Sequence, residues 1–150
     1  YMNNIYIMKT IEKNIIYFFT LIIDIILIYI LLYKNINTFD YSYILGILLV
    51  HIIFYISIYQ QNRQLIDFCH WALMICLGLS VLISNKYLLI LPTILLITVP
   101  LFWEIFGKCI LNTDDQNEST YFYDTFGISL THAVFILIII TSLKFLNIIK

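Results

Sequence analysis

The chain contains few of the residues that give small or flexible backbone positions. Glycine, alanine, proline and arginine together account for nine of its 150 residues. No glycine-rich phosphate loop is present, and the Gly-x-Ser-x-Gly and His-Glu-x-x-His motifs are also missing. Local motifs therefore do not indicate a catalytic centre, and we expect no enzyme activity from this chain itself.

Charged residues and cysteines are also scarce. Charged residues make up 11% of the chain, and the net charge is −1 without any basic run. Nucleic-acid binding needs clustered lysine and arginine, so nucleic acid is excluded as a partner. Cys69 and Cys76 lie two helical turns apart, about 10 Å, which is too far for a disulfide bond. We interpret these two and Cys109 as small, reduced, apolar residues.

Long apolar runs fill most of the sequence, with short polar connections between them. About 20 apolar residues allow a helix to cross the hydrocarbon core of a bilayer, which is about 30 Å thick. An interfacial segment over residues 1–12 is expected before the first run, and an acidic loop over 112–125 before the last. The sequence predicts an all-α, single-domain transmembrane helical bundle, with five spans at about 13–33, 43–59, 65–84, 87–107 and 126–144.

Two ionisable residues are predicted near the middle of a span, Asp24 in the first and His51 in the second. Ionisable groups at that depth are costly and often functional. The residues beside Asp24 are isoleucines, which offer no hydrogen bond. We therefore expect Asp24 and His51 to make buried polar contacts with another helix or another chain.

Four further ionisable residues are predicted at one level, within about 3 to 10 Å of one membrane interface. Two histidines and two carboxylates are ligand types that suit zinc or iron, although groups this shallow also reach water or a neighbouring subunit. A second alternative is haem b, with axial ligands among His51, His70 and His132. We predict no cofactor, and keep as the candidate metal ligands Asp67, His70, Glu104 and His132.

The third span carries small residues at every fourth position, Ala72, Cys76 and Ser80. Such a stripe permits close approach of a neighbouring helix. His70 lies on roughly the opposite face of the same helix, because successive residues turn by about 100°. The third span is therefore predicted to be a central helix with neighbours on both sides.

Residue types with A/T-rich codons (Phe, Tyr, Met, Ile, Asn and Lys) supply 76 of the 150 residues, which indicates an AT-rich genome. In composition, length and number of spans, the chain resembles small, divergent, mitochondrially encoded subunits of respiratory-chain complexes in AT-rich protist genomes. The resemblance implies an accessory multi-pass subunit of the mitochondrial inner membrane, whose partners are lipids and other transmembrane subunits. It includes no motif, so it assigns no functional residue.

Two alternative functions are compatible with the same sequence. One is a small redox, proton-handling or quinone-handling membrane protein that uses the intramembrane histidines and carboxylates. The other is a viral membrane protein, because some large viral genomes are also AT-rich. The lysine and arginine residues divide equally between the two predicted sides, so they do not orient the chain.

Overall fold

The computed structural model describes residues 10–106 and 130–148, and within them all regular secondary structure is helical. The predicted all-α bundle is confirmed. Residues 1–9 of the predicted interfacial segment and the predicted acidic loop lie outside the described residues. The helices are α1 (Thr10–Tyr33), α2 (Thr38–Gln60), α3 (Arg63–Leu79) with a 3₁₀ turn (Ser80–Leu82), α4 (Lys86–Phe106) and α5 (Leu130–Phe145).

Three of these helical segments are long and apolar enough to cross a membrane, Asn14–Tyr33, Thr38–Gln60 and Gln64–Leu82. Shorter apolar segments occur within α4 and α5. A helix satisfies its own backbone hydrogen bonds, which a lipid environment requires of any spanning segment. The chain is therefore a helical membrane protein. We call the membrane side at which α1 begins the N face, and the other side the opposite face.

Asparagine caps determine where several helices begin. The second span was predicted to begin at residue 43, but α2 begins at Thr38. The reason is Asn37, whose side-chain oxygen accepts the backbone N–H of Asp40 at 2.7 Å. Asn62 and Asn85 likewise accept N–H groups in the first turns of α3 and α4. Side-chain oxygens at this position stabilise a helix by satisfying a free backbone donor.

The largest core cluster lies where α1, α2 and α4 meet, together with the turn before α4. Tyr43 donates a hydrogen bond from this cluster to the backbone carbonyl of Cys76 at 3.0 Å. The half-buried side chain of Cys76 also packs against the cluster. We call this cluster the apolar seal, and its buried members are Leu27, Ile30, Tyr43, Ile44, Ile83, Leu88, Leu89 and Leu91.

Two smaller clusters place α3 between its neighbours. Cys69 of α3 packs with Phe54 and Ile58 of α2. Two turns further along α3, Leu77 packs with residues of α4 and α5. Of the predicted small-residue stripe, Ser80 is fully buried, while Ala72 and Cys76 are half-buried.

Two polar contacts tie the helices together at the opposite face. The carboxylate of Asp40 is 1% exposed and accepts the backbone N–H groups of Ser84 at 3.1 Å and Asn85 at 2.9 Å. This links the start of α2 to the turn between α3 and α4. Lys144 of α5 donates from Nζ to the backbone carbonyl of Val81 at 2.7 Å.

Candidate functional site

The two deep ionisable residues contact each other. Nδ1 of His51 lies 2.6 Å from Oδ1 of Asp24, within hydrogen-bond distance. Tyr55 donates from its hydroxyl to Oδ2 of the same carboxylate at 2.8 Å. Both carboxylate oxygens of Asp24 are therefore hydrogen-bonded by side chains of α2. We call Asp24, His51 and Tyr55 the Asp24 cluster.

Helix geometry explains why these three side chains meet. His51 and Tyr55 are four residues apart, so they lie on the same face of α2. Side chains lean toward the N-terminus of their own helix. Because α1 and α2 are antiparallel, Asp24 leans toward the N face and His51 toward the opposite face. Asp24 lies nine residues before the end of α1, and His51 lies nine residues before the end of α2. Each side chain therefore leans toward the level of the other, and the two meet near the middle of the bundle.

A second tyrosine continues the cluster toward the N face. The rings of Tyr17 and Tyr55 are stacked, with centroids 5.7 Å apart and an interplanar angle of 11°. The Tyr17 hydroxyl also lies 3.5 Å from the backbone carbonyl oxygen of Tyr55, at the limit of a hydrogen bond. The aromatic pair therefore holds α1 against α2 between Asp24 and the N face.

His51 also lines a small internal cavity of about 20 Å³, at the junction of α1, α2, α3 and α4. A volume of this size holds one water molecule. Tyr43 and Cys76 contribute to the walls, and the remaining lining is apolar apart from His51 itself.

The cluster is not completely enclosed. The side chains of His51 and Asp24 are 12% and 14% exposed. Asp24 does not line the internal cavity. Leu21 and Ile28, which flank Asp24 on the same face of α1, are 52% and 45% exposed. Asp24 therefore lies beside an exposed apolar stripe of α1.

The layer of candidate metal ligands is only partly described. Asp67 and His70 of α3 are half-buried, His132 of α5 is exposed, and each of the three has an interaction partner. Among the described residues, no group of three His, Cys, Asp or Glu side chains is placed to hold a metal ion. Asp67, His70 and His132 therefore do not form a metal centre by themselves. The side chain of the fourth candidate, Glu104, lies outside the described part of the chain.

Sequence reasoning did not single out the two tyrosines or Asp40. Tyr55 had a usable signal, because it follows His51 by four residues and so shares its face. Tyr17 precedes Asp24 by seven residues, two helical turns, which also places the two on one side of α1. Asp40 was assigned to a link, and its burial depends on the distant turn at Ser84.

The fold and the site together define a helical membrane protein with a hydrogen-bonded Asp-His-Tyr cluster near the middle of its first two spans. Comparison of the sequence with protein-family models and with curated proteins finds no match, and comparison of the fold with solved structures finds none either.

Proposed function

We propose that this chain is an accessory, multi-pass subunit of a large respiratory complex in the mitochondrial inner membrane. Its role there is to contribute helix packing and assembly rather than chemistry. The observation that carries this proposal is the Asp24 side chain, which is 14% exposed at mid-membrane depth. If a second chain covers the surface of α1 beside Asp24, this polar side chain in the middle of the membrane does not contact lipid.

The depth of Asp24 follows from the helical rise. The residue lies ten positions after Asn14 and nine before Tyr33, the two ends of the apolar segment of α1. At 1.5 Å per residue it is about 14 Å from either end. Lipid chains offer no hydrogen bonds, and an aspartate at the centre of a spanning helix costs about 3 kcal/mol. Covering the exposed part of the cluster with another helix removes contact with hydrocarbon.

The packing of α1 supports the same proposal. Only 17% of its most apolar 18-residue stretch is buried within the chain. Its buried residues, Thr20, Leu27 and Ile30, lie on the side that faces α2 and α4. The outer side carries large apolar residues such as Phe18 and Leu32, which are 63% and 68% exposed. This surface is suited to a further transmembrane helix.

The placement in mitochondria is supported by composition. Half of the residues belong to types with A/T-rich codons, and the chain resembles mitochondrially encoded subunits in length and helical character. The internal polar contacts are also consistent with a packing role. Among the described side chains, no buried nitrogen or oxygen atom is left without a hydrogen-bond partner.

The test uses native membranes solubilised in a mild detergent. We expect the chain to migrate with a complex many times its own mass of 17.8 kDa, and to contribute neither a haem absorption band nor bound metal when separated. A photoactivatable lipid should label the peptide from Leu21 to Ile28 only after the complex has been dissociated. The dissociated complex serves as the matched control for the reactivity of that peptide.

Two results would reject the proposal. One is migration of the chain as a monomer in the mild detergent. The other is equal labelling of the Leu21 to Ile28 peptide before and after dissociation, which would show that lipid already contacts this surface in the native membrane.

A further inference from the structure

We propose that the junction where α1 ends and α4 begins binds the headgroup of an anionic phospholipid. Three residues form this junction at the opposite face, Lys34, Lys86 and Tyr87, and we call them the headgroup site. The inference goes beyond the packing role, because it assigns a ligand of stated chemistry to this surface. It stands on two ammonium groups that no described carboxylate balances, and on the apolar surface beneath them.

The ends of two helices bring the lysines to one level of the membrane. Lys34 directly follows the last residue of α1, and Lys86 is the first residue of α4. The two helices pack together at this end, because Ile30 belongs to the same core cluster as Leu88. Lys34 lies four residues after Ile30, so it continues the face of α1 that is turned toward α4. Both lysines therefore lie where spanning helices leave the hydrocarbon core and lipid headgroups begin.

An aromatic ring holds the side chain of Lys34 in place. Its Nζ lies 4.1 Å from the centroid of the Tyr87 ring, which is a cation–π contact. Tyr87 directly follows Lys86 and is 58% exposed, so the contact lies at the surface beside the second lysine. An ammonium group has three N–H donors, so a ring on one side leaves others for an anionic oxygen.

The positive charge of this junction is not balanced within the described part of the chain. Neither Lys34 nor Lys86 is paired there with a carboxylate. The buried carboxylate of Asp40 lies beside the turn, but its oxygens accept the backbone N–H groups of Ser84 and Asn85 instead of an ammonium. An external anion can therefore contact both lysines without displacing an existing ion pair.

A phosphodiester group matches this arrangement. It carries one negative charge and two oxygens that accept hydrogen bonds, so Lys34 and Lys86 can each donate to it. A zwitterionic headgroup also brings a cation, which the two lysines repel, whereas an anionic headgroup brings none. The headgroup site therefore favours an anionic phospholipid over a zwitterionic one.

An apolar track on α4 runs from the headgroup site toward the middle of the membrane. Ile90, Ile94 and Ile97 follow Tyr87 at spacings of three, four and three residues, so they share its face of the helix. All three isoleucines are exposed. From Tyr87 to Ile97 the helix rises about 15 Å, half of the hydrocarbon thickness of about 30 Å. One acyl chain can therefore lie along this track while its phosphate contacts the two lysines.

The test is native mass spectrometry of the full chain in detergent, with phosphatidylglycerol or phosphatidylcholine added in turn. The first lipid is anionic and the second is zwitterionic, and both carry the same acyl chains. We expect one phosphatidylglycerol molecule to bind several-fold more tightly than phosphatidylcholine. Lys34→Gln and Lys86→Gln should each weaken phosphatidylglycerol binding about fivefold, the contribution of one lysine beside anionic lipid. Lys86 is exposed, so its replacement tests the site without disturbing the fold.

Two further variants separate a defined site from general attraction to positive charge. Lys144→Gln is the matched control, because it removes the same charge from the same face, where Lys144 donates to the carbonyl of Val81. It should leave phosphatidylglycerol binding nearly unchanged. Tyr87 acts as a positioning residue, so Tyr87→Phe should bind as the unmodified chain does. Tyr87→Leu loses the ring and should bind about twofold more weakly.

Equal affinity of the unmodified chain for the two lipids would overturn the proposal. A loss in Lys144→Gln as large as that in Lys86→Gln would also overturn it, because any lysine on this face would then serve. Inorganic phosphate added in excess distinguishes a lipid from a free anion: phosphatidylglycerol should stay bound, and its displacement would reject a lipid site. These measurements use the separated chain, so they are independent of whether the chain migrates with a large complex.

Discussion

The buried carboxylate of Asp40 offers a direct test of how the helices are held together at the opposite face. Asp40→Ala removes the acceptor for two backbone N–H groups, those of Ser84 and Asn85. The cap of α2 is retained, because Asn37 accepts from the backbone of residue 40 and not from its side chain. The substitution therefore disconnects α2 from the turn before α4 without removing the start of α2.

The expected loss can be worked from these two contacts. A hydrogen bond to a charged group contributes about 1.5 to 3 kcal/mol, so two contribute about 3 to 6 kcal/mol. The side chain of Ser84 is exposed, so water can replace part of what the carboxylate provides. We expect Asp40→Ala to lower the free energy of unfolding by about 2 to 4 kcal/mol. Asp40→Asn retains an acceptor oxygen and should lose about half as much.

The assay is thermal unfolding in detergent, followed with a thiol-reactive dye in a Cys109→Ser background. Cys69 is buried and Cys76 is half-buried in the folded chain, so both react mainly after unfolding. The midpoint of Asp40→Ala should fall by about 5 to 10 °C. Ser84→Ala is the control, because it keeps the backbone N–H and should leave the midpoint unchanged. An unchanged midpoint in Asp40→Ala would refute the inference that this carboxylate joins the helices.

Three further predictions can be measured with the same assay. Tyr43→Phe removes the hydrogen bond to the carbonyl of Cys76 and should cost about 1 kcal/mol; no change would show that another donor replaces it. Lys144→Met removes the bond to the carbonyl of Val81 and should cost about 1 to 2 kcal/mol, whereas Lys144→Arg should lose less. Leu88→Ala leaves a cavity in the apolar seal and should cost about 2 to 4 kcal/mol, more than the same substitution at the exposed Leu49.

The secondary structure was largely predictable because lipid restricts the backbone so strongly. Any apolar run of sufficient length must form a helix, and the predicted spans overlap the five described helices. The main error was the start of α2. It arose because Asn37 and Asp40 were interpreted as a polar link, although a capping asparagine begins a helix just as well.

The candidate site was predictable only in part. Depth along a helix follows from residue number, so Asp24 and His51 could be recognised as the residues that need partners. The depth of a residue in the membrane does not give the rotation of its helix about the helix axis. That rotation decides whether two side chains at the same depth face each other. The grouping of Asp67, His70 and His132 rested on depth alone, and the structure does not join them into a metal centre.

The sequence by itself determined that this is a helical membrane protein with ionisable groups in its spans. It did so because hydropathy and helical rise depend on local residues only. The tertiary structure decided that Asp24 meets His51 and Tyr55, and that Asp40 meets the turn before α4. Those contacts join residues 27 to 45 positions apart, so they depend on the relative rotation of packed helices, which no local pattern in the sequence specifies.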